Sequence, residues 1–147
     1  MRLALSSLLL AFMLTACGPQ AEGFFIEKAL IREAPPNARA LAGYMLLNNN
    51  TAADITLISA ESDDFGLVQF HRSVEKDGVY RMQHYQELKI AAGEEIEFKP
   101  CDFHLMLMAP KRALKAGDNT VIHITLSDQS KVTLTLPVQK KAPLIHD

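Results

Sequence analysis

The stretch KVTLTLPV, Lys131–Val138, indicates the fold class most clearly. Its apolar residues Leu134 and Leu136 alternate with the polar residues Thr133 and Thr135. Side chains of a β-strand point alternately to the two faces of a sheet, so this pattern places the apolar set in a core and the polar set in solvent. The stretch therefore predicts a strand of a sheet with one buried face.

Short segments of the same kind fill the rest of the chain, and residues typical of turns separate them. None sustains the 3.6-residue apolar period of a long helix. The predicted strands are Phe24–Ile31, Leu41–Leu47, Ile55–Ser59, Leu67–Val74, Val79–Ile90, Glu95–Lys99, His104–Met108, Val121–Leu126 and Lys131–Val138. About nine short strands predict an all-β protein, an antiparallel β-sandwich in a single domain.

One turn is predicted in more detail. Asp77 and Gly78 stand between two strand segments, and an Asp-Gly pair in that position favours the type I′ turn of a tight hairpin. The hairpin folds Leu67–Val74 back against the following strand. We expect it to bring His71 towards Met82.

Length and composition exclude several classes of protein. The chain has 147 residues, of which 48% are hydrophobic and 22% charged, as in a single globular domain. Its formal net charge of -2 is far from the basic balance of a nucleic-acid-binding protein. The glycine motifs of nucleotide-binding loops and the G-x-S-x-G motif of serine hydrolases are missing from the sequence.

The amino-terminal residues have the pattern of a lipoprotein leader. Arg2 precedes Leu3–Met13, an apolar run that is too short to span a bilayer, for which a helix needs about 20 residues. The run leads into Leu14-Thr15-Ala16-Cys17, which resembles the bacterial lipobox. We expect residues 1–16 to be a signal peptide and Cys17 to become the lipidated amino terminus.

The leader also predicts where the protein resides. Residues 17–23 form a short tether, residues 24–138 the folded domain and residues 139–147 a tail. The domain is expected on the periplasmic side of a bacterial membrane, as a monomer held by its lipid anchor, with a partner at the same membrane. Lipidation of Cys17 leaves Cys101 without a partner within the chain, which excludes a structural disulfide.

Histidines and methionines are clustered in the second half of the chain. His71, Met82, His104 and Met106 form an ungapped H-x10-M-x21-H-x-M pattern. Imidazole and thioether are uncharged donors, and soft thioethers select Cu(I) over harder metal ions. In the strand that contains HLMLM, His104 and Met106 share one face while the leucines between them point to the other.

This pattern resembles that of the periplasmic copper chaperones of the PCuAC family. Further similar stretches are Gly43-Tyr44-Met45, Asp77-Gly78-Val79, Lys99-Pro100 and His104–Met108, and the resemblance covers roughly residues 24–138. It implies a cupredoxin-like sandwich and one Cu(I) per chain bound by His71, Met82, His104 and Met106. It also implies a chaperone rather than an enzyme, which delivers copper to the Cu(A) centre of cytochrome c oxidase or another cuproprotein, with a thiol-containing helper as a further partner.

The sequence departs from the family pattern near the motif. Ser73 stands where many members have methionine, and Cys101 where they commonly have glycine. Three residues are candidate auxiliary ligands: His84, Cys101 and Met108. His123 and His146 are expected in solvent.

An alternative function uses some of the same residues. Cys101, His104 and Met108 follow a C-x2-H-x3-M spacing, which with His71 resembles the ligand set of a blue-copper electron-transfer protein. This alternative gives Met82 no role. It predicts an intense blue colour with Cu(II), whereas two histidines and two methionines do not.

Overall fold

A computed structural model describes residues 22–141. The expected leader, Cys17 and the last six residues of the tail lie outside the described residues. The ten strands are β1 Phe24–Arg32, β2 Ala40–Asn49, β3 Ile55–Glu61, β4 Phe65–Lys76, β5 Val79–Tyr85, β6 Leu88–Ile90, β7 Glu95–Phe98, β8 Phe103–Pro110, β9 Asn119–Leu126 and β10 Lys131–Gln139. Residues 22–141 contain no helix that is long and apolar enough to cross a membrane.

The strands form one sheet in the order β5-β4-β8-β7-β2-β1-β10-β9-β3-β6. A further pairing between β3 and β4, at Ala60 and Val68, closes the sheet into a barrel-like sandwich. The all-β prediction is thus confirmed. Closure of the sheet leaves β5 outside the barrel, as a strand that pairs with β4 alone among the strands of residues 22–141.

Two details of the predicted sandwich are corrected. The segment Val79–Ile90 contains two strands, because β5 lies at one edge beside β4 whereas β6 lies at the other beside β3. The sheet is also not wholly antiparallel. β1 and β10, near the two ends of the domain, pair in parallel, as strands separated by a long connection can, and β7 and β8 share one parallel bridge.

The alternating pattern of the sequence does determine the core. In β10, Leu136 and Val138 are buried while Lys131, Thr133 and Thr135 are exposed. In β8, Leu105 and Leu107 are fully buried. At one end of the core, the ring of Phe98 packs edge-on against Phe70 and stacks with Phe103. These aromatic contacts fix β4, β7 and β8 against one another beneath the strand face that bears the histidines.

The predicted hairpin is confirmed, and its register is informative. Asp77 and Gly78 have φ of 56° and 76°, the positive values that a type I′ turn requires. The two-residue loop pairs Lys76 with Val79 and, further along the ladder, His71 with His84. The residue directly opposite His71 is therefore His84 rather than Met82, which pairs with Ser73 two positions away.

Candidate metal centre

Three imidazoles form a row across neighbouring strands. His71 in β4 pairs with His84 of β5 on one side and with His104 of β8 on the other. Directly paired residues of antiparallel strands point to the same face of the sheet. The face opposite to the row carries the buried Phe70 and Leu105, so the imidazoles lie on the outer face of the sheet, above a rigid part of the core.

The imidazoles are close enough to share a metal ion in pairs. The ring centres of His71 and His104 are 6.0 Å apart, and those of His71 and His84 are 5.4 Å apart. Two imidazoles that bind one ion through nitrogens about 2.0 Å away have ring centres about 5 to 6 Å apart. His71 is therefore positioned to share an ion with either neighbour.

One nitrogen of His71 has no hydrogen-bond partner within residues 22–141. The Nε2 atom lies 3.0 Å from Oε1 of Gln69, to which it donates in the neutral ring, and the Nδ1 atom is buried without a partner among the described residues. Buried polar atoms without a hydrogen-bond partner are uncommon, and each one lowers the stability of the folded protein. A metal ion on Nδ1 would satisfy it, so the residues present fit a bound metal.

The surroundings also keep His71 neutral. Burial lowers the pKa of its imidazole, and the neighbouring charges of His104 and His84 lower it further. Imidazole must be neutral to bind a metal. The environment therefore favours the form of His71 that can act as a ligand.

His104 is oriented by the turn before it. The side chain is only 6% exposed, and its Nδ1–H donates to the carbonyl oxygen of Asp102 at 2.9 Å. This bond leaves Nε2 as the nitrogen with a free lone pair. The Asp102 carboxylate accepts a hydrogen bond from Nε of Arg72 at 2.8 Å, and the guanidinium of Arg72 lies 4.6 Å from the centre of the Phe103 ring. These contacts tie the turn to β4.

The two methionines of the motif occupy different positions. Met106 is half-buried, two residues beyond His104 in β8, and pairs with Gln69. Met82 is 60% exposed on β5 and pairs with Ser73. Both lie on the imidazole face but on opposite sides of the row, and the strand spacing and rise put their Cα atoms about 15 Å apart. The structure thus brings His71, His104 and Met106 together and leaves Met82 at the exposed edge.

Of the three auxiliary candidates, only His84 lies in the row. Met108 pairs with Leu67, four residues beyond His104 and so about 13 Å further along the strand. Cys101 is exposed in the turn between β7 and β8, with a φ of 64°. In this register Met108 is too far from His104 to share an ion with it, so the blue-copper ligand set is not assembled.

The imidazole row is not a complete site as it stands. Among residues 22–141 no three His, Cys, Asp or Glu side chains form a group that could hold a metal ion. Thioether donors or a small movement of β5 are needed to complete the coordination. His123 lies elsewhere, on β9, where its Nδ1 is 2.9 Å from the hydroxyl of Thr133.

Sequence reasoning missed three residues that support the site: Gln69, Arg72 and Asp102. Gln69 holds one nitrogen of His71, while Arg72 and Asp102 hold the turn that orients His104. The contact between Arg72 and Asp102 depends on β4 lying beside β8, and the spacing of residues along the chain carries no signal for that. Gln69 and Asp102 each contact the histidine two residues further along, so the signal for these contacts was their position beside a motif histidine.

Comparison with known proteins identifies the family. The family model described as LpqE-like, a family of lipoproteins, matches residues 25–138. The chain belongs to the LpqE-like family. A relative from Leifsonia xyli subsp. xyli that carries the name lipoprotein Lxx21020 is 29% identical over 123 residues, which are 83% of this chain and 73% of the relative.

Solved structures with the same fold include PCuAC domains and a structure with bound Cu(I). The copper-bound PCuAC domain from PmoF2 matches with a TM-score of 0.69 at 20% identity, over 83% of this chain and 97% of that domain. The solution structure of CuI-DR1885 from Deinococcus radiodurans matches with a TM-score of 0.65 at 26% identity, over 79% of this chain and 77% of that one. The resemblance of this LpqE-like chain to the PCuAC family is confirmed, and these neighbours support a copper-chaperone role. The PCuAC copper chaperones are non-enzymatic, and the chain is not an enzyme.

Proposed function

We propose that this LpqE-like protein is a copper chaperone that binds one Cu(I) through His71, Met82, His104 and Met106. The observation that carries the proposal is the buried Nδ1 of His71, which has no partner among the described residues. It lies beside a second imidazole whose free nitrogen is set by the Asp102 carbonyl. Met106 adds a thioether on the same face of β8.

The ligand set suits an ion that must be bound and then released. Two neutral imidazoles and two thioethers bring no charge to the ion, and soft sulfur favours Cu(I) over Cu(II) or zinc. Three of the ligands stand on strands of the closed barrel, whereas Met82 stands on the exposed edge strand β5. β5 must bend towards β8 for Met82 to reach the ion, and the reverse movement opens the site to a recipient.

The location and the recipient are part of the same proposal. Lipidation at Cys17 would hold the domain on the periplasmic side of the membrane, and the lipoprotein names of the family and of the Leifsonia relative support this. The proposed recipient is the Cu(A) site of cytochrome c oxidase, reached directly or through a thiol-containing chaperone, because thiolates bind Cu(I) more strongly than thioethers do. Copper that stays on the loaded protein after mixing with an apo Cu(A) domain and with a dithiol chaperone would contradict this delivery.

The ligand assignment is tested with methionine variants. Met82→Leu and Met106→Leu each remove a sulfur and keep the volume. Each should weaken Cu(I) binding at least tenfold, a loss of about 1.4 kcal/mol, in competition with a Cu(I) chelator. The matched control is Met45→Leu, which changes a fully buried core methionine of β2, and its affinity should stay within about twofold of the wild type. Unchanged affinity in both motif variants would refute the assignment.

A further inference from the structure

A groove lies at the end of the barrel opposite to the expected tether. It is bounded by the connection from β1 to β2, by the connection from β8 to β9, and by Lys140 after β10. At that end of the barrel, Arg32 of β1 pairs with Gln139 of β10. Phe24, next to the tether, pairs with Asn49 at the other end. The groove has a volume of about 790 Å³, which is in the range of ligand sites.

The floor of the groove is apolar, and one of its walls is stiff. Leu41 and Leu114 are the buried residues of the lining and form the floor. In one wall, the N–H of Ala38 donates to the carbonyl oxygen of Pro35 at 3.1 Å, and Asn37 has a φ of 63°, as in a type II turn. The proline rings of this wall restrict the backbone. The wall therefore loses little conformational freedom when a ligand binds.

The charges around the groove are unbalanced. Among the described residues that line it, one side chain, Glu33, is acidic and four are cationic: Arg32, Arg112, Lys115 and Lys140. Arg112 is paired with Asp64, and the Glu33 carboxylate accepts a hydrogen bond from the backbone N–H of Ala116. The other three cations form no ion pair within residues 22–141. This site, which we call the basic groove, contrasts with the formal net charge of -2 of the whole chain.

We propose that the basic groove docks an acidic segment of a partner protein. Carboxylates of the segment pair with the exposed Lys115 and Lys140, and apolar side chains between them pack on Leu41 and Leu114. Opposite charges steer association, whereas like charges oppose it. Cations around an apolar floor therefore select a segment that carries both carboxylates and apolar side chains.

The position of the groove favours a protein over the lipid surface as the occupant. The expected lipid anchor joins the domain next to Phe24, and the length of β1, about 25 Å, separates Phe24 from Arg32 at the groove. This separation allows the groove to face away from the membrane that holds the anchor.

A partner docked in the basic groove leaves the imidazole row uncovered. Pro110, which lines the groove, lies about 20 Å from His104 along β8. A partner held at this distance stays at a high local concentration near the row. Only this use in copper exchange rests on the proposed function, because the docking itself uses none of the proposed copper ligands.

The experiment uses residues 17–147 with Cys17→Ser, so that the chain carries no lipid. The probe is a fluorescent synthetic peptide in which two glutamates flank two leucines. The comparison peptide has lysines in place of the glutamates. Binding is measured by fluorescence anisotropy and is located by nuclear magnetic resonance of the backbone amides.

Two double variants have the same net charge and differ in where the charge is reversed. The test variant combines Lys115→Glu with Lys140→Glu in the basic groove. The matched control combines Lys28→Glu with Lys76→Glu, which are exposed lysines outside the groove. Cu(I) affinity of both variants is measured by chelator competition.

The glutamate peptide should bind at least about tenfold more tightly than the lysine peptide and more weakly as salt rises. It should shift the amide resonances of Ala34, Leu41 and Leu114. The test variant should lose at least about tenfold in peptide affinity, and the control should stay within about twofold of the wild type. Equal binding of the two peptides, equal losses in the two double variants, or shifts confined to residues outside the groove would overturn the inference.

Two other occupants predict different results, and either result would overturn the inference. If the groove binds a lipid surface, the wild type does not distinguish the peptides, and the test variant alone loses binding to phosphatidylglycerol vesicles. If residues 142–147 of the chain fill the groove, their deletion shifts the amide resonances of Leu41 and Leu114, and the peptide binds only the shortened chain.

The measurements also separate this inference from the proposed Cu(I) site. Cu(I) affinity should stay within about twofold of the wild type in both double variants, because neither changes a proposed ligand. If the Cu(I) assignment is wrong, Met82→Leu and Met106→Leu keep their Cu(I) affinity whatever the peptide does. If only the docking is wrong, the methionine variants lose Cu(I) and the glutamate peptide does not bind in the groove.

Discussion

His71 is the residue on which the site depends. Its ring is partly buried between His84 and His104. Burial is the larger cause that lowers the pKa of His71 below the ordinary value of about 6.5, and electrostatic repulsion from His104 and His84 is the smaller cause. At a pH between the lowered pKa of the folded protein and the ordinary pKa of the unfolded chain, His71 is protonated in the unfolded chain and neutral in the folded one. The fold therefore gains stability from this group as the pH rises through that window and loses it as the pH falls.

This shift predicts the titration of the metal-free protein. Followed by the ring proton resonances in nuclear magnetic resonance spectra, His71 should titrate with a midpoint below 6.5. In His84→Gln the midpoint should rise, because one cationic neighbour is gone, and should stay below the ordinary value, because burial is the larger cause. A wild-type midpoint at or above 6.5 would contradict the placement of His71.

At the scale of elements, the turn between β7 and β8 positions His104. The turn carries Cys101 with a positive φ and Asp102, whose carbonyl oxygen accepts from both His104 Nδ1 and the backbone N–H of Ser73. Arg72 of β4 clamps it through the Asp102 carboxylate. Both side chains of this ion pair are partly exposed, so the pair contributes to stability only about 0.2 to 1 kcal/mol. Its main effect is geometric.

We therefore expect a small loss of copper affinity when the ion pair between Arg72 and Asp102 is removed. Arg72→Met keeps the aliphatic stem near Phe103 and removes the ion pair, and Cu(I) affinity should fall about two- to fivefold, the equivalent of about 0.4 to 1 kcal/mol. Exchange of the His104 Nδ1 proton, seen by nuclear magnetic resonance, should become faster. Lys131→Met, which removes the exposed Lys131–Glu61 pair, is the control. Equal effects of both variants on affinity and exchange would show that the clamp has no positioning role.

The elements also show which features the sequence could predict. The alternation of apolar and polar residues predicted the buried faces of β8 and β10. The hairpin turn was predicted from the preference of an Asp-Gly pair, here Asp77-Gly78, for the type I′ conformation. The same turn already determined that His71 pairs with His84, because a two-residue loop at 77–78 fixes every pair along the ladder. The expectation that the hairpin brings His71 towards Met82 did not use this register, which places His84 directly opposite His71.

Other features depended on pairing between distant segments. The break between β5 and β6 arises because the two halves of the segment Val79–Ile90 pair with different strands, the first with β4 and the second with β3. The local periodicity of the sequence does not indicate which distant strand a segment pairs with. The contacts of Asp102 with Arg72 and with the backbone N–H of Ser73 likewise need β4 to lie beside β8. Gln69 and the Asp102 carbonyl each contact the histidine two residues further along the chain, and the sequence analysis did not consider these local contacts.

For the whole molecule, closure of the barrel divides the candidate ligands between the closed sheet and an edge strand. β4 contributes to both, since Val68 pairs with β3 inside the barrel and the residues from Phe70 onwards pair with β5 outside it. His71, His104 and Met106 therefore stand on or next to the closed sheet. Met82 and His84 stand on β5, which pairs on one side only within the part of the chain that the structure describes. For the proposed Cu(I) site, this arrangement places three ligands on or beside the closed sheet and the fourth, Met82, on an edge strand.

The central claim is that His71, Met82, His104 and Met106 bind one Cu(I), and X-ray absorption at the copper edge tests it most directly. The protein is loaded with one equivalent of Cu(I) without oxygen, and the sulfur and nitrogen neighbours of copper are counted. For the wild type, the account predicts two sulfur neighbours at about 2.3 Å and two nitrogen neighbours at about 2.0 Å from copper. For Met82→Leu, it predicts a single sulfur neighbour. A site with nitrogen neighbours alone, or two sulfurs that persist in Met82→Leu and in Met106→Leu but fall to one in Cys101→Ser, would contradict it.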